Sequence, residues 1–170
     1  MIVHYAPFEE AVAKSKPLWM VYWHSSEILK TESMAYKIFI SHSSHDTWVA
    51  KQIERNVKEC GAETFLDAYD IEVGDNFEVK IRDGIKGCDE LLVLFTRYAL
   101  ESDYVTAEIA MAASKDPPAR ISPILYGVEL EKAKEKPFVG KTLFVEVNRL
   151  DEYFQQLKHR VSESSKLEIV

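Results

Sequence analysis

The run His42-Ser43-Ser44-His45-Asp46 gathers two imidazoles, two hydroxyls and a carboxylate. At the start of a helix such a run suits an anionic ligand, because the free backbone N–H groups there attract phosphate or carboxylate. For a lone Ser or Asp in that place, such as Ser44 or Asp46, the commoner role is the N-cap. His42 and His45 stand three residues apart. They could bind a metal, but no second ligand pair accompanies them, and two loop histidines is the simpler reading. A second group is Tyr104 and Glu108, four residues apart and therefore on one helix face. Glu108 is flanked by Ala107, Ile109, Ala110 and Met111. A carboxylate in that company is either exposed or half-buried for a chemical purpose, and spacing does not choose between them. No Gly-x-Ser-x-Gly elbow is present, so a serine hydrolase is disfavoured. No glycine lies between Ser41 and Asp46 to cradle phosphates.

The elements that must position these groups alternate from residue 37 onward. Lys37 to Ser41 reads as a strand, and Val49, Ala50, Ile53, Val57 and Cys60 stripe a helix that Gly61 stops. Ala62 to Asp67 is a second strand, Ala68 to Asn76 a loop, and Phe77, Ile81 and Ile85 stripe a helix closing near Gly87. Leu91 to Phe95 is apolar throughout, the mark of a strand covered on both faces. A loop from Thr96 to Tyr104 leads into a helix over Tyr104 to Ala113. Arg120 to Tyr126 and Lys141 to Val147 give strands four and five. Leu150, Tyr153, Phe154, Leu157 and Val161 stripe a closing helix, and the charges from Glu131 to Lys136 make a solvated helical face. Strands separated by helices imply an α/β doubly wound parallel sheet of order 2-1-3-4-5 with helices on both faces. Ligands then bind outside the carboxyl ends of strands one and three, at the His42 and Thr96 loops. A phospho-acceptor domain of this fold needs an Asp where Phe95-Thr96 stands.

Composition bounds the remaining classes. Of 170 residues, 46% are hydrophobic and 29% charged, a balance able to build a core. The net charge of -7 denies the positive field that nucleic-acid binding requires. The longest apolar run, Leu18 to Trp23, is far short of the ~20 residues that span a bilayer. Cys60 and Cys88 form no disulfide or metal framework, which fits a reducing cytoplasm. Residues 1–36 stand outside the alternation; they carry Trp19 and Trp23 and are expected to pack as an extension, a partner-docking element being the sharper reading. Residues 37–163 form the domain and 164–170 a tail.

The segment Phe39 to Asp46 resembles the first box of bacterial-type TIR (Toll/interleukin-1 receptor) domains. Phe65-Leu66-Asp67, followed by Asp70 to Asp75, resembles that family's second strand and BB loop. Asp103 to Glu108 resembles its Trp-x-x-x-Glu motif, with Tyr104 in the tryptophan place. The resemblance spans roughly residues 37–160 and implies the flavodoxin-like fold. It also implies two functions. Many bacterial, plant and axonal members are NAD+ glycohydrolases or cyclases, with NAD+ as substrate and no added cofactor, while many animal members are non-catalytic scaffolds. The enzymatic branch places its catalytic glutamate at Glu108 and substrate contacts at His42, Ser43, Ser44, Glu72 and Tyr104. Its BB loop, here carrying Asp70, Gly74 and Asp75, contacts neighbouring subunits. Some enzymatic members have arginines where Ser43 and Ser44 stand, so here the diphosphate would meet backbone N–H groups and hydroxyls. A cytoplasmic defence enzyme that works by self-association is the expectation.

Overall fold

The computed structural model describes residues 35–66 and 76–166. The expected extension as far as Met34, the positions Asp70, Glu72, Gly74 and Asp75, and the tail from residue 167 lie outside the described residues. The architecture is built around Glu90–Phe95 (β3), buried at every position. Beside it run Lys37–Ser41 (β1), Glu63–Leu66 (β2), Arg120–Leu125 (β4) and Val145–Glu146 (β5). Their order is β2-β1-β3-β4-β5 and every pairing is parallel, as the alternation required.

Alternate residues of β3 serve opposite faces. Leu91, Val93 and Phe95 pack with Phe39, with Ile81 and Ile85 of Phe77–Gly87 (α2), and with Val105 and Ile109 of the helix Asp103–Ser114. Leu92 and Leu94 pack with Ile38 and Ile40, with Ile53 and Val57 of Thr47–Glu59 (α1), and with Leu157 of the closing helix Leu150–Lys166. Each fully buried Leu or Ile side chain contributes ~1.5–3 kcal/mol, so the central strand binds both layers. Gly61, just past the end of α1, has a φ of 89°, the left-handed conformation that closes a helix and that a side chain would strain. The closing helix runs on to Lys166, past the expected domain end at residue 163.

Two expectations need correction. The segment after Thr96 is not a plain loop, because Arg97–Glu101 forms a short helix (α3) ahead of Asp103–Ser114 (α4). Strand five is only Val145–Glu146 rather than Lys141 to Val147. Pro123 in β4 offers no N–H, and pairing with β5 starts one residue later, at Ile124 with Val145. Lys141 and Thr142 instead follow a turn closed by Thr142 N donating to Val139 O at 2.9 Å. The remaining helices are Leu130–Lys134 (α5), in the charged stretch, and Leu150–Lys166 (α6).

The amino end of β3 carries a carboxylate that sequence reasoning passed over. Glu90 is wholly buried. Tyr36 Oη donates to its Oε2 at 2.8 Å and Tyr153 Oη to its Oε1 at 3.0 Å. Arg160 grips both oxygens, Nε at 3.1 Å and Nη2 at 3.2 Å. A charge so deep is tolerated because four donors, two of them from a guanidinium, replace the water it lost. Removing it by Glu90→Ala strands Arg160 and two phenols, so unfolding by urea should show a loss of about 3–5 kcal/mol. A loss below ~1 kcal/mol would contradict a buried ion pair.

The same cluster sets alkaline behaviour. Burial first, and then the Glu90 charge, push the Tyr36 and Tyr153 phenols above the ordinary tyrosine range. Above about pH 10 the unfolded chain therefore releases protons that the folded chain retains, and stability falls as pH rises. Burial raises the Cys60 and Cys88 thiols as well, which adds a loss from about pH 9. The melting temperature should drop steeply above about pH 10, and less steeply in Tyr36→Phe. Equal slopes for the two proteins would show that Tyr36 does not contribute.

Candidate functional site

β1 and β3 are neighbours, with Ser41 in register with Val93. From β1 the chain turns to α1 on one face, and from β3 it passes through α3 to α4 on the other. The crevice between those departures is where the polar groups converge. Ser41, the last residue of β1, is wholly buried and donates its hydroxyl to Glu108 Oε2 on α4. Glu108 is only 2% exposed, which removes the exposed reading. It belongs to the sheet-facing stripe of α4, with Val105, Ile109 and Ala112. Tyr104, one turn earlier, is 67% exposed and stands at the mouth.

The first loop is ordered by its own side chains. Ser43 caps the 3-10 turn Ser44–Asp46, its Oγ accepting from His45 N at 3.4 Å, while Asp46 holds the N-cap position of α1 without a side-chain bond to it. Thr47 Oγ1 donates to Ser44 O at 2.9 Å. His42 is buried, with Nδ1 3.4 Å from Ile40 O and Nε2 3.4 Å from Thr47 Oγ1. Asp46 is freed from capping α1 because its carboxylate turns inward and accepts from the Thr96 hydroxyl at 2.5 Å. Thr96 Oγ1 in turn accepts from Ala99 N at 3.1 Å, capping α3. Asp46 and Thr96 therefore latch the two loops that frame the crevice.

Two clefts open there and share one aromatic wall. Phe77 meets Tyr104 edge-on, with centroids 6.3 Å apart and planes at 83°. On one side is a polar cleft of about 510 Å³, lined by His42, Ser43, Ser44, His45, Tyr98 and Ser102 among others. On the other is a mostly apolar slot of about 180 Å³, lined by Ile81, Ala107, Met111 and Glu108 together with the exposed Glu78 and Arg82. A larger cleft, about 690 Å³, lies where α3 faces α5, but its carboxylates Glu101, Glu129 and Glu135 are all exposed. The buried polar groups line the first two clefts instead. Thus His42, Ser43, Ser44 and Tyr104 line the polar cleft, and Tyr104 and Glu108 line the slot. Sequence reasoning missed Ser41, Thr96 and the rim residue Phe77, which it assigned to a core stripe. Thr96 alone left a signal, being the first polar residue after an apolar strand.

Comparison with known proteins agrees with this frame. The doubly wound sheet with a crevice at β1 and β3 defines a flavodoxin-like α/β protein. A family model described as the TIR domain matches residues 38–161, and the chain belongs to that family. The TIR domain of a Toll-related receptor from Hydra magnipapillata superposes with a TM-score of 0.58 at 19% identity, covering 74% of this chain and 97% of that one. The TIR domains of the activated Roq1 resistosome give 0.53 at 14% identity, over 78% and 84% of the two chains. A prokaryotic SEFIR domain gives 0.52 at 21% identity, over 75% and 92%. A relative from Brachypodium distachyon, a probable 2' cyclic ADP-D-ribose synthase, is 29% identical over 96 residues. That match spans 55% of this chain and 42% of the relative, less than half its length. No helix among the described residues is long and apolar enough to cross a membrane.

The latch generates a prediction. Thr96→Val keeps the shape but withdraws the hydroxyl from a buried Asp46 carboxylate and from the α3 cap. Stability in urea should fall by about 1–3 kcal/mol and recover in Thr96→Ser. An unchanged midpoint in Thr96→Val would show the latch to be dispensable.

Proposed function

We propose that this TIR domain cleaves the bond between nicotinamide and ribose in NAD+, with Glu108 as the catalytic carboxylate. The observation that carries the reading is a carboxylate 2% exposed, at the ligand crevice, oriented by the Ser41 hydroxyl and bordering an apolar slot. The pyridinium leaves with the electron pair of the C–N bond and becomes neutral, so no general acid is required. What the protein must supply is negative charge beside a ribose turning oxocarbenium-like, and a preorganised carboxylate does this best where water is excluded. The apolar slot excludes water from one side of Glu108. Ser41 fixes the carboxylate while leaving its charge in place. An incoming hydroxyl or ring nitrogen then bonds to C1′; a hydroxyl also gives up its proton. Water as acceptor yields ADP-ribose, and the adenine-bearing end of the same molecule yields a cyclic isomer.

His42, Ser43 and Ser44 fall in the polar cleft, where the diphosphate meets hydroxyls and the backbone N–H groups of the Ser44–Asp46 turn. Glu72 is proposed as a further substrate contact, and Asp70, Gly74 and Asp75 as self-association positions. Those four lie outside the described residues. The relative's name as a cyclic ADP-ribose synthase and the family membership support the reading, with cytoplasmic defence signalling as its setting. Residues 1–36 are proposed as an extension, with partner docking as the alternative role.

Glu108→Gln keeps size and hydrogen bonding but removes the charge. NAD+ consumption should fall at least ~100-fold, the scale of losing one electrostatic stabiliser. NAD+ binding should survive, because the loss falls on the transition state. A scaffold that only assembles would consume no NAD+ in either form, and equal turnover in the two would remove Glu108 from catalysis.

A further inference from the structure

The outer wall of the polar cleft is a stack of rings. His45, exposed on the first loop, lies against Tyr98 of α3 with centroids 4.4 Å apart and planes within 16°. The Arg97 guanidinium sits 4.5 Å over the Tyr98 ring and also donates to Tyr98 Oη. A ring has two faces. The imidazole and the guanidinium both pack on Tyr98, and His45, exposed and lining the cleft, has a second ring face to offer a ligand.

Its place in the site decides what the stack would meet. If Glu108 acts on the nicotinamide end, a single planar ring is what a slot of about 180 Å³ can take. The remainder of a dinucleotide must then cross the Phe77–Tyr104 wall into the polar cleft, which at about 510 Å³ has room for a nucleoside diphosphate. The first-loop hydroxyls of Ser43 and Ser44 line the same cleft as His45. The rim also carries the exposed Glu101 carboxylate, an acceptor for an amine on the base.

Resting on the NAD+ reading, we infer that His45, braced by Tyr98 and Arg97, is the platform on which the substrate's purine base stacks, and that Glu101 at its edge accepts from the exocyclic amine. His45 is already held by Tyr98 and by Ser43 Oγ, 3.3 Å from its Nδ1, so little freedom is lost when a base lands on it. Base–aromatic stacking is worth ~1–3 kcal/mol per base, enough to set affinity without touching the chemical step.

The test uses ADP-ribose, which has the base and lacks the pyridine ring. Saturation-transfer NMR on the whole chain should show the adenine protons in contact with wild-type protein. Affinity should fall about tenfold in His45→Ala, the equivalent of ~1.4 kcal/mol, and recover in His45→Phe, which restores an aromatic face. With NAD+, His45→Ala should raise KM while leaving kcat within about twofold. Unchanged ADP-ribose affinity in His45→Ala, or a fall in kcat with KM unchanged, would overturn the platform while NAD+ cleavage stands. Wild-type protein that neither binds ADP-ribose nor consumes NAD+ would overturn both this inference and the reading beneath it.

Discussion

A strand buried on both faces along its whole length has nowhere to place polar chemistry except its two ends. β3 imposes that constraint on the rest of the molecule. Every residue from Glu90 to Phe95 is buried, so water reaches neither flank of the sheet's centre. The backbone groups are satisfied by parallel pairing with β1 and β4. Side-chain hydrogen bonding is pushed to the termini, and each terminus gathers buried carboxylates. Glu90 closes the amino end; Asp46 and Glu108 sit at the carboxyl end, held by Thr96 and Ser41.

The two ends use the same residue types for different purposes. At the amino end, Arg160 and two phenols neutralise and enclose Glu90, so Tyr36, β3 and α6 are tied to one buried point. At the carboxyl end the donors are small hydroxyls, Ser41 at the tip of β1 and Thr96 just past β3. A hydroxyl satisfies a lone pair and orients the carboxylate, but it does not cancel the charge as a guanidinium does. The amino end is therefore built for stability. The carboxyl end keeps its field and opens onto two clefts. The direction of the parallel strands dictates which end is which, since both helical crossovers part company there.

Much of this was legible in the sequence because it depends on local pattern. The unbroken apolar run Leu91–Phe95 identifies the central strand, and the stripes at 3.6-residue spacing identify the helices that cover it. Order 2-1-3-4-5 follows once the crossovers are long. What escaped depends on contacts between distant residues. Glu90 reads locally as a polar flank to an apolar strand, and only Arg160 and Tyr153, at least 63 residues away, turn it into a buried anchor. The depth of Glu108 is set by Ser41, 67 residues earlier. β5 failed for the opposite reason. Its residues have strand character, but Pro123 on the neighbouring strand withholds pairing until Ile124.

Glu108 also shows why a core stripe can carry a carboxylate at all. On α4 it replaces an apolar residue between Val105 and Ala112, where an unpaired charge would ordinarily cost several kcal/mol. Three features of the site reduce that cost. The residue lies level with the end of β1 rather than its middle, so Ser41 can supply a donor. Its helical neighbour Ala107 is small and leaves room at the slot. The slot itself borders the carboxylate, so on that side Glu108 faces a cleft rather than solid packing. Such a position is poor for stability and good for binding positive charge, because the field of a carboxylate is strongest where little water screens it. The fold tolerates Glu108 through these neighbours, at the end of the sheet where a cleft reaches it.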